Sequence, residues 1–185
     1  QEFGEDRFAG ALFVRTDSEI NDPVDLKHKT ILFGGGRRAM LSYIVPTWLL
    51  RKAGLGEKDY VEKIALNPPH AVISTYHGRA DAAGAGESIT QLDIVKKNID
   101  VALMKVLARS EKISHLPWAV RDTMDPAIRN SIQSALAELG ADETGTSILK
   151  SAKLTGMTVA DDSDYELSEQ IITELYGDDY AWEKG

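Results

Sequence analysis

The 185-residue chain has no cysteine and no long apolar run, and each absence excludes a class of protein. Without cysteine there is no disulfide, no thiol nucleophile and no cysteine-ligated metal. No apolar stretch approaches the roughly 18 residues that a membrane-spanning helix needs, so we predict no direct insertion into a membrane. The opening residues, "QEFGEDRFAG", lack the pattern of a signal peptide and resemble the middle of a protein, so we expect a mature or cut chain.

Positive charge is also scarce, because 21 lysines and arginines face 29 aspartates and glutamates. The net charge of −8 argues against bulk binding to nucleic acid or to anionic lipid, and we predict no nucleic-acid partner. An anion-binding site would therefore have to be built locally. The apolar share of 43% and the charged share of 27% are typical of a globular protein.

Short apolar runs alternate with helical patterns along most of the chain. This alternation predicts βαβ units and an α/β fold with a mainly parallel sheet in three layers. The predicted strands are residues 10–15, 29–34, 61–67, 80–86 and 100–110. The predicted helices are 39–52, 68–77, 125–140, 146–154 and 164–177, with a short helix or loop at 88–98.

Several residues mark where the predicted helices begin, bend and end. Asn67 before Pro68 and Asp125 before Pro126 have the pattern of a cap followed by a first helical turn. Pro46 lies inside its predicted helix and should bend it. In the helix after Asp125 the apolar residues Ile128, Ile132, Leu136 and Leu139 line one face, and we expect Gly140 to end the helix.

Three loops follow predicted parallel strands and lead towards helices: residues 34–38, 67–70 and 84–88. Ligands of open parallel sheets bind where strands end and helices begin, because free amides and the positive end of the helix dipole meet there. We therefore expect these loops to share one edge of the sheet and to form an anion site.

The first of these loops, within "ILFGGGRRAML", is the most informative. The backbone amides of Gly34, Gly35 and Gly36 and the side chains of Arg37 and Arg38 are our main predicted anion ligands. The plainer alternative is a tight turn carrying two solvated arginines.

The same loop formally matches a dinucleotide fingerprint, with Gly34, Gly36 and Ala39 in the glycine and alanine positions. That interpretation needs an acidic residue about 20 positions later to hold the ribose. The next strand ends instead in Asn67 and two prolines, and no Walker A lysine follows the loop. We therefore weigh against a nucleotide site and predict no cofactor.

Asn67, His70 and Ser88 are our predicted secondary ligand contacts, since they lie in the second and third loops. Ser88 has a plainer interpretation as a helix cap, which we favour. His70 and His77 are too far apart along one helix to share a metal ion, and we predict no metal site. The other two histidines, His28 and His115, are expected in loops. We expect all three tryptophans, Trp48, Trp118 and Trp182, in a core or interface, and Trp118, which follows Pro117 in a loop, is the best candidate to line a ligand cleft.

Four ordered segments resemble the phosphate, phosphite and phosphonate-binding family of periplasmic substrate-binding proteins of ABC transporters. Residues 25–29, "DLKHK", resemble the family's "DLKGK", and residues 78–82, "GRADA", match its "G-x-x-D-A". Residues 110–117 approximate its "S-x-x-I-P", and a helix follows Asp125-Pro126 as in the family.

This resemblance implies a non-catalytic, periplasmic solute-binding protein with two α/β lobes that close on a small anion. Residues 1–110 would form the second lobe, and residues 111–185 would be a C-terminal helical part that returns to pack on the first lobe. The first lobe is not represented here, and we expect it elsewhere in the same gene or in a separate chain. An ABC permease, or a sensor partner, would be the macromolecular partner.

One departure from the family concerns the ligand. The family places a Ser-Thr-Ser cluster where this chain has residues 35–40, Gly-Gly-Arg-Arg-Ala-Met, so the identity of the anion stays open. The rival functions are a ligand-sensing domain of a signalling system with the same fold, a dinucleotide-binding enzyme, and an assembly subunit that has lost its ligand.

Overall fold

The computed structural model describes residues 1–114 and 117–177, which divide into two compact units. The sheet unit comprises Phe8–Lys112 and the described residues from Ser168 onward. The helical unit comprises Gln1–Arg7 and Ile113–Leu167. His115 and Trp182 lie outside the described residues.

The strands and helices fall close to the predicted segments. The strands are β1 Arg7–Phe8, β2 Gly10–Arg15, β3 Thr30–Gly34, β4 Val61–Ala65, β5 Ala82–Gly86, β6 Met104–Arg109 and β7 Ile113–Ser114. The α-helices are α1 Val45–Lys52, α2 Pro68–Tyr76, α3 Asp93–Lys96, α4 Pro126–Ala137, α5 Glu143–Ser151 and α6 Glu166–Tyr176. A π-helical turn spans Met40–Ile44, and short 3₁₀ helices span Pro23–Leu26, Glu87–Gln91, Val101–Leu103 and Asp162–Tyr165.

Five strands form one sheet in the order β4-β3-β5-β2-β6. β3 pairs in parallel with β4 and with β5, as the βαβ pattern predicts. β2 instead pairs antiparallel with both β5 and β6, so four strands point one way and β2 points the other. The mainly parallel α/β fold is thus confirmed, with one reversed strand. The sequence pattern does not reveal the direction of a strand, because a strand buried on both faces has the same apolar run in either direction.

The sheet is covered on both faces, which gives the predicted three layers. On one face α2 packs against Phe13, Leu32 and Ala83, which belong to one buried cluster with Val72 of α2. On the other face lie the π-helical turn and α1, whose Leu50 is fully buried. β5 consists only of alanine and glycine, which lets both helical layers approach the middle of the sheet.

The predicted helix at 39–52 is continuous but begins with a wider turn. The amide of Ile44 donates to the carbonyl of Ala39, and that of Val45 donates to the carbonyl of Met40, both five residues back. Pro46 follows at once. Because proline has no amide hydrogen and its ring collides with the carbonyl four residues earlier in a regular α-helix, the widened turn accommodates it.

The predicted caps are confirmed, whereas α4 ends earlier than predicted. The Asn67 side chain accepts from the amide of His70 at 2.9 Å and starts α2. The Asp125 side chain accepts from the amide of Ala127 at 2.8 Å and starts α4. However, α4 contains no buried residue, and its Ile128 is 56% exposed. It also ends at Ala137, before Gly140.

The helical unit is tied together by its N-terminal arm. The amino group of Gln1 donates to the carbonyl of Gly156 at 2.6 Å, and the amide of Thr155 donates to the carbonyl of Gln1 at 2.9 Å. Arg7 pairs with Asp164 at 2.5 Å. No helix within residues 1–114 and 117–177 combines the length and apolar character needed to cross a bilayer.

Candidate functional site

The three predicted loops share one edge of the sheet. Because β3, β4 and β5 are mutually parallel, their carboxyl ends point to the same side, which we call the carboxyl edge. β2 begins and β6 ends at this edge too, since Gly10 pairs with Gly86 and Ala11 pairs with Arg109. The carboxyl edge therefore contains five strand ends and the starts of three helical segments, two of which, the Met40–Ile44 turn and α2, meet at Gly34.

Gly34, at the end of β3, brings these two helical segments together. It is buried, and a side chain on it would lie 2.6 Å from the backbone nitrogen of Pro68, the first residue of α2. Its carbonyl accepts a hydrogen bond from the Ser42 hydroxyl in the neighbouring helical turn. The absence of a Cβ at Gly34 thus places the start of α2 against the loop that leads into the Met40–Lys52 helix.

Gly35 and Gly36 form the turn itself. Their φ angles are +82° and +95°, a region that residues with side chains rarely adopt. The amide of Gly35 donates to Ala65 at 3.2 Å, and the carbonyl of Gly36 accepts from Ala39 at 3.1 Å. A side chain on Gly36 would meet no atom within 4 Å, so the backbone here borders open space.

Arg37 is engaged by a carboxylate of the protein. Its Nε and Nη2 atoms lie 3.0 and 2.9 Å from Oε1 of Glu62 on β4, and this hydrogen-bonded pair raises the arginine pKa. The Tyr43 hydroxyl donates to the other oxygen of Glu62 at 2.8 Å. Burial, and then this bond to Glu62, raise the pKa of Tyr43. Arg38 is exposed.

The predicted secondary contacts stand at the same edge. The side-chain oxygen of Asn67 accepts the hydrogen bond that caps α2, whereas the His70 side chain is exposed in the first turn of that helix. Ser88 is half-buried in the 3₁₀ helix after β5. Gly86 occupies the cap position of that helix, so the interpretation of Ser88 as a helix cap is wrong.

Three polar residues at this edge were not among the ligands predicted from the sequence: Glu87, Arg109 and Ser110. Glu87 has a mostly buried side chain that accepts from the amide of Ala9 at 3.4 Å and pairs with Arg109 at 3.3 Å. The Ser110 hydroxyl accepts from the amide of Gly10 at 3.2 Å. Together these contacts fasten the start of β2 to the end of β6. Only the register of the antiparallel β2–β6 pair, which the sequence does not show, reveals this grouping.

The motifs that carry the family resemblance have structural roles. Asp81 accepts from the amide of Thr30 at 2.8 Å and so fixes the start of β3. His28 stands where the family motif has glycine, and its φ of +63° explains that glycine. Asp25 accepts from the amides of Asn21 and Asp22, and these bonds lower its pKa.

The tryptophans described by the structure differ in exposure. Trp48 is buried, as expected for a core residue, and its indole donates to Glu174 of α6 at 2.6 Å. Lys52 lies over its ring, 4.4 Å from the centroid. Trp118 is 70% exposed, so a core position is wrong for this residue.

A family model described as "ABC transporter, phosphonate, periplasmic substrate-binding protein" matches residues 1–165. The chain belongs to this phosphonate-binding family. Its members are periplasmic substrate-binding components of transporters rather than enzymes, which confirms the resemblance inferred from the sequence.

Solved structures support the same fold. A Xanthomonas citri protein bound to ATP is 16% identical, with a TM-score of 0.76 over 92% of this chain and 66% of that one. The phosphonate-binding protein PhnD1 of Prochlorococcus marinus, in complex with methylphosphonate, is 14% identical, with a TM-score of 0.74 over 96% of this chain and 70% of that one. The aliphatic sulphonate-binding protein SsuA of Escherichia coli is 19% identical, with a TM-score of 0.60 over 94% of this chain and 68% of that one.

These neighbours confirm a periplasmic-binding-protein-like fold. The chain spans about two thirds of the length of the solved proteins that it matches. We therefore treat the activity and the partners of the whole protein as proposals.

Proposed function

We propose that this chain is the ligand-binding part of a periplasmic solute-binding component of an ABC transporter, and that it holds a small oxyanion at the carboxyl edge. The observation that carries this proposal is the close approach of Gly34 to Pro68, which sets two helix starts side by side. Each start supplies the positive end of a helix dipole. Free amides come only from the side of the glycine turn, because α2 begins with two prolines and the amide of His70 donates to Asn67. Two such ends at one place attract an anion without any net positive charge on the protein.

A ligand would reach the two helix starts past the glycine turn. Gly35 and Gly36 have no side chains to keep a ligand away from the backbone, and the space beside Gly36 is open. Arg37 and Arg38 would add forked donors that match the oxygens of a phosphoryl group. Asn67, His70 and Ser88 would make secondary contacts from the second and third loops.

The chemistry of the ligand follows from what this edge offers and from the family. Donors dominate the edge, and the neighbours carry methylphosphonate and ATP in their structures, both with phosphoryl oxygens. The hydroxyl cluster of the family is replaced here, and Ser42 donates inward to Gly34. Recognition would therefore depend on amides and guanidinium groups, and we propose a phosphate-like or phosphonate-like ligand.

We further propose that the anion closes a cleft between this lobe and a first lobe, with the closed state favoured by ligand contacts. The division at residue 110 and the packing of the C-terminal part on that first lobe belong to this proposal. The uncovered apolar face of α4 supports it, since a face of this kind is commonly an interface. A permease of the ABC class would receive the ligand. The family match favours this function over a dinucleotide-binding enzyme.

The experiment is a titration by calorimetry and NMR with methylphosphonate, inorganic phosphate and sulfate. We expect the variant R37A/R38A to bind at least about tenfold more weakly, about 1.4 kcal/mol, because both guanidinium groups are lost from the carboxyl edge. The matched control is R51A/R79A, which removes the same charge from two exposed arginines near the opposite helix ends. Equal affinity of wild type and R37A/R38A would show that these two arginines do not bind the anion. Absence of binding to all three anions would contradict the proposal.

A further inference from the structure

The Arg37–Glu62 pair is strongly asymmetric. The Glu62 side chain is 19% exposed and is held from two sides, by Arg37 and by the Tyr43 hydroxyl. Tyr43 is itself buried, with its ring 4.9 Å from that of Phe33. The Arg37 side chain is 74% exposed. If the pair opens, it is therefore the arginine that moves, while the carboxylate stays in place.

The pair also turns the guanidinium back from the carboxyl edge. Arg37 directly follows Gly36, in the loop that borders the edge. Glu62 pairs in register with Ile31, three residues before β4 ends at Ala65. A strand rises about 3.3 Å per residue, so the backbone of Glu62 lies on the order of 10 Å behind the end of β4. In this arrangement the Arg37 guanidinium is bound to the Glu62 carboxylate and is not available to a ligand in front of the helix starts.

We propose that Glu62 is an internal competitor for Arg37 and thereby sets the affinity of the anion site. This inference rests on the proposed function. An oxyanion at the carboxyl edge recruits the guanidinium only by taking it from the Glu62 carboxylate. An exposed pair of this kind is worth up to about 1 kcal/mol, which a bound anion can exceed but must still overcome.

The cost of this competition to a ligand depends on how completely the ligand recruits Arg37. The attraction between a guanidinium and a ligand grows with the ligand's charge, whereas the attraction to Glu62 stays that of one carboxylate. A dianionic phosphonate therefore displaces Glu62 more readily than a monoanionic sulfonate does. A ligand that takes Arg37 completely loses the whole stabilisation of the pair, so Glu62 lowers the affinity for dianions of the phosphoryl class at least as much as for the sulfonates that a protein of similar fold binds.

The test compares methylphosphonate with methanesulfonate, at a pH above the second pKa of methylphosphonate. Glu62→Gln keeps an oxygen that can accept from Tyr43 and removes the charge that holds Arg37. We expect it to tighten binding of methylphosphonate by about fivefold and of methanesulfonate by no more than that, because the dianion recruits Arg37 more completely. In an Arg37→Ala background the same change should have no effect, because there is no guanidinium to release.

The matched control is Glu57→Gln. Glu57 acts on Arg37 through charge, whereas Glu62 also accepts its hydrogen bonds. An equal gain in Glu57→Gln, or a gain that survives Arg37→Ala, would show a simple charge effect and overturn the competition.

A second readout needs no variant. In wild-type protein the NMR signal of the Arg37 Nε–H group should shift as methylphosphonate is added, because its acceptor changes from Glu62 to the ligand. If wild type binds an anion but this signal stays fixed and Glu62→Gln changes nothing, this inference alone is overturned. If wild type binds none of the anions, the proposed function fails and this inference fails with it.

Discussion

Two helices, α2 and α4, begin with nearly the same sequence pattern but differ in how far they are buried. α2 begins with Asn67 and Pro68, and α4 begins with Asp125 and Pro126, each with a cap bonded to the first turn. α2 in the sheet unit buries four of its residues, whereas α4 in the helical unit buries none. The comparison teaches that caps and periodicity decide whether a helix forms, whereas burial depends on whether another element lies opposite its apolar face.

The largest expected difference is between two apolar truncations. Leu50→Ala, in α1 of the sheet unit, should lower the free energy of unfolding by about 2–5 kcal/mol, because Leu50 is fully buried and a cavity remains. Ile128→Ala, in α4, should change it by less than about 0.5 kcal/mol, since this side chain is mostly exposed. Urea unfolding followed by circular dichroism measures both. A cost at Ile128 as large as that at Leu50 would mean that α4 has a partner in solution, and the comparison would break.

A smaller effect is expected at the carboxyl edge. Gly34→Ala should destabilise the sheet unit by about 1–3 kcal/mol, because the new methyl group overlaps Pro68 and pushes α2 away from β3. The control is Gly56→Ala, where the nearest atom is the Asp59 carboxylate at 3.5 Å and no such cost arises. Thermal unfolding of the two variants checks this. Equal melting temperatures would show that the two helix starts are not held together as tightly as Gly34 implies.

The smallest effects should come from two left-handed residues, one in each unit. His28 has φ +63° and Lys153, after α5, has φ +59°. Replacing either with glycine should stabilise its own unit by about 0.5–1 kcal/mol, because relief of left-handed strain exceeds the entropy that glycine loses on folding.

Amide hydrogen exchange can assign each gain to its unit. We expect His28→Gly to slow exchange in β3 and α2, and Lys153→Gly to slow exchange in α5. If either change slows exchange throughout both units, the sheet unit and the helical unit unfold as one, which would remove the basis of the comparison.

The sequence by itself determined the elements and the edge of the sheet at which the three loops meet. Apolar runs bounded by glycine marked β2 and β3, and Asn67 and Asp125 marked two helix starts, because these are local properties of the backbone and its nearest side chains. The order of the loops 34–38, 67–70 and 84–88 after parallel strands was enough to bring them to one edge.

Only the tertiary structure decided direction, pairing and burial. The reversal of β2, the Glu87–Arg109 pair and the Arg37–Glu62 pair each join residues that are distant in the chain. Charges and apolar faces act over a few ångströms without regard to sequence separation, so their partners exist only once the strands have taken their register. For the same reason "GGGRR" indicated an anion site, but only the folded chain placed a carboxylate on its first arginine.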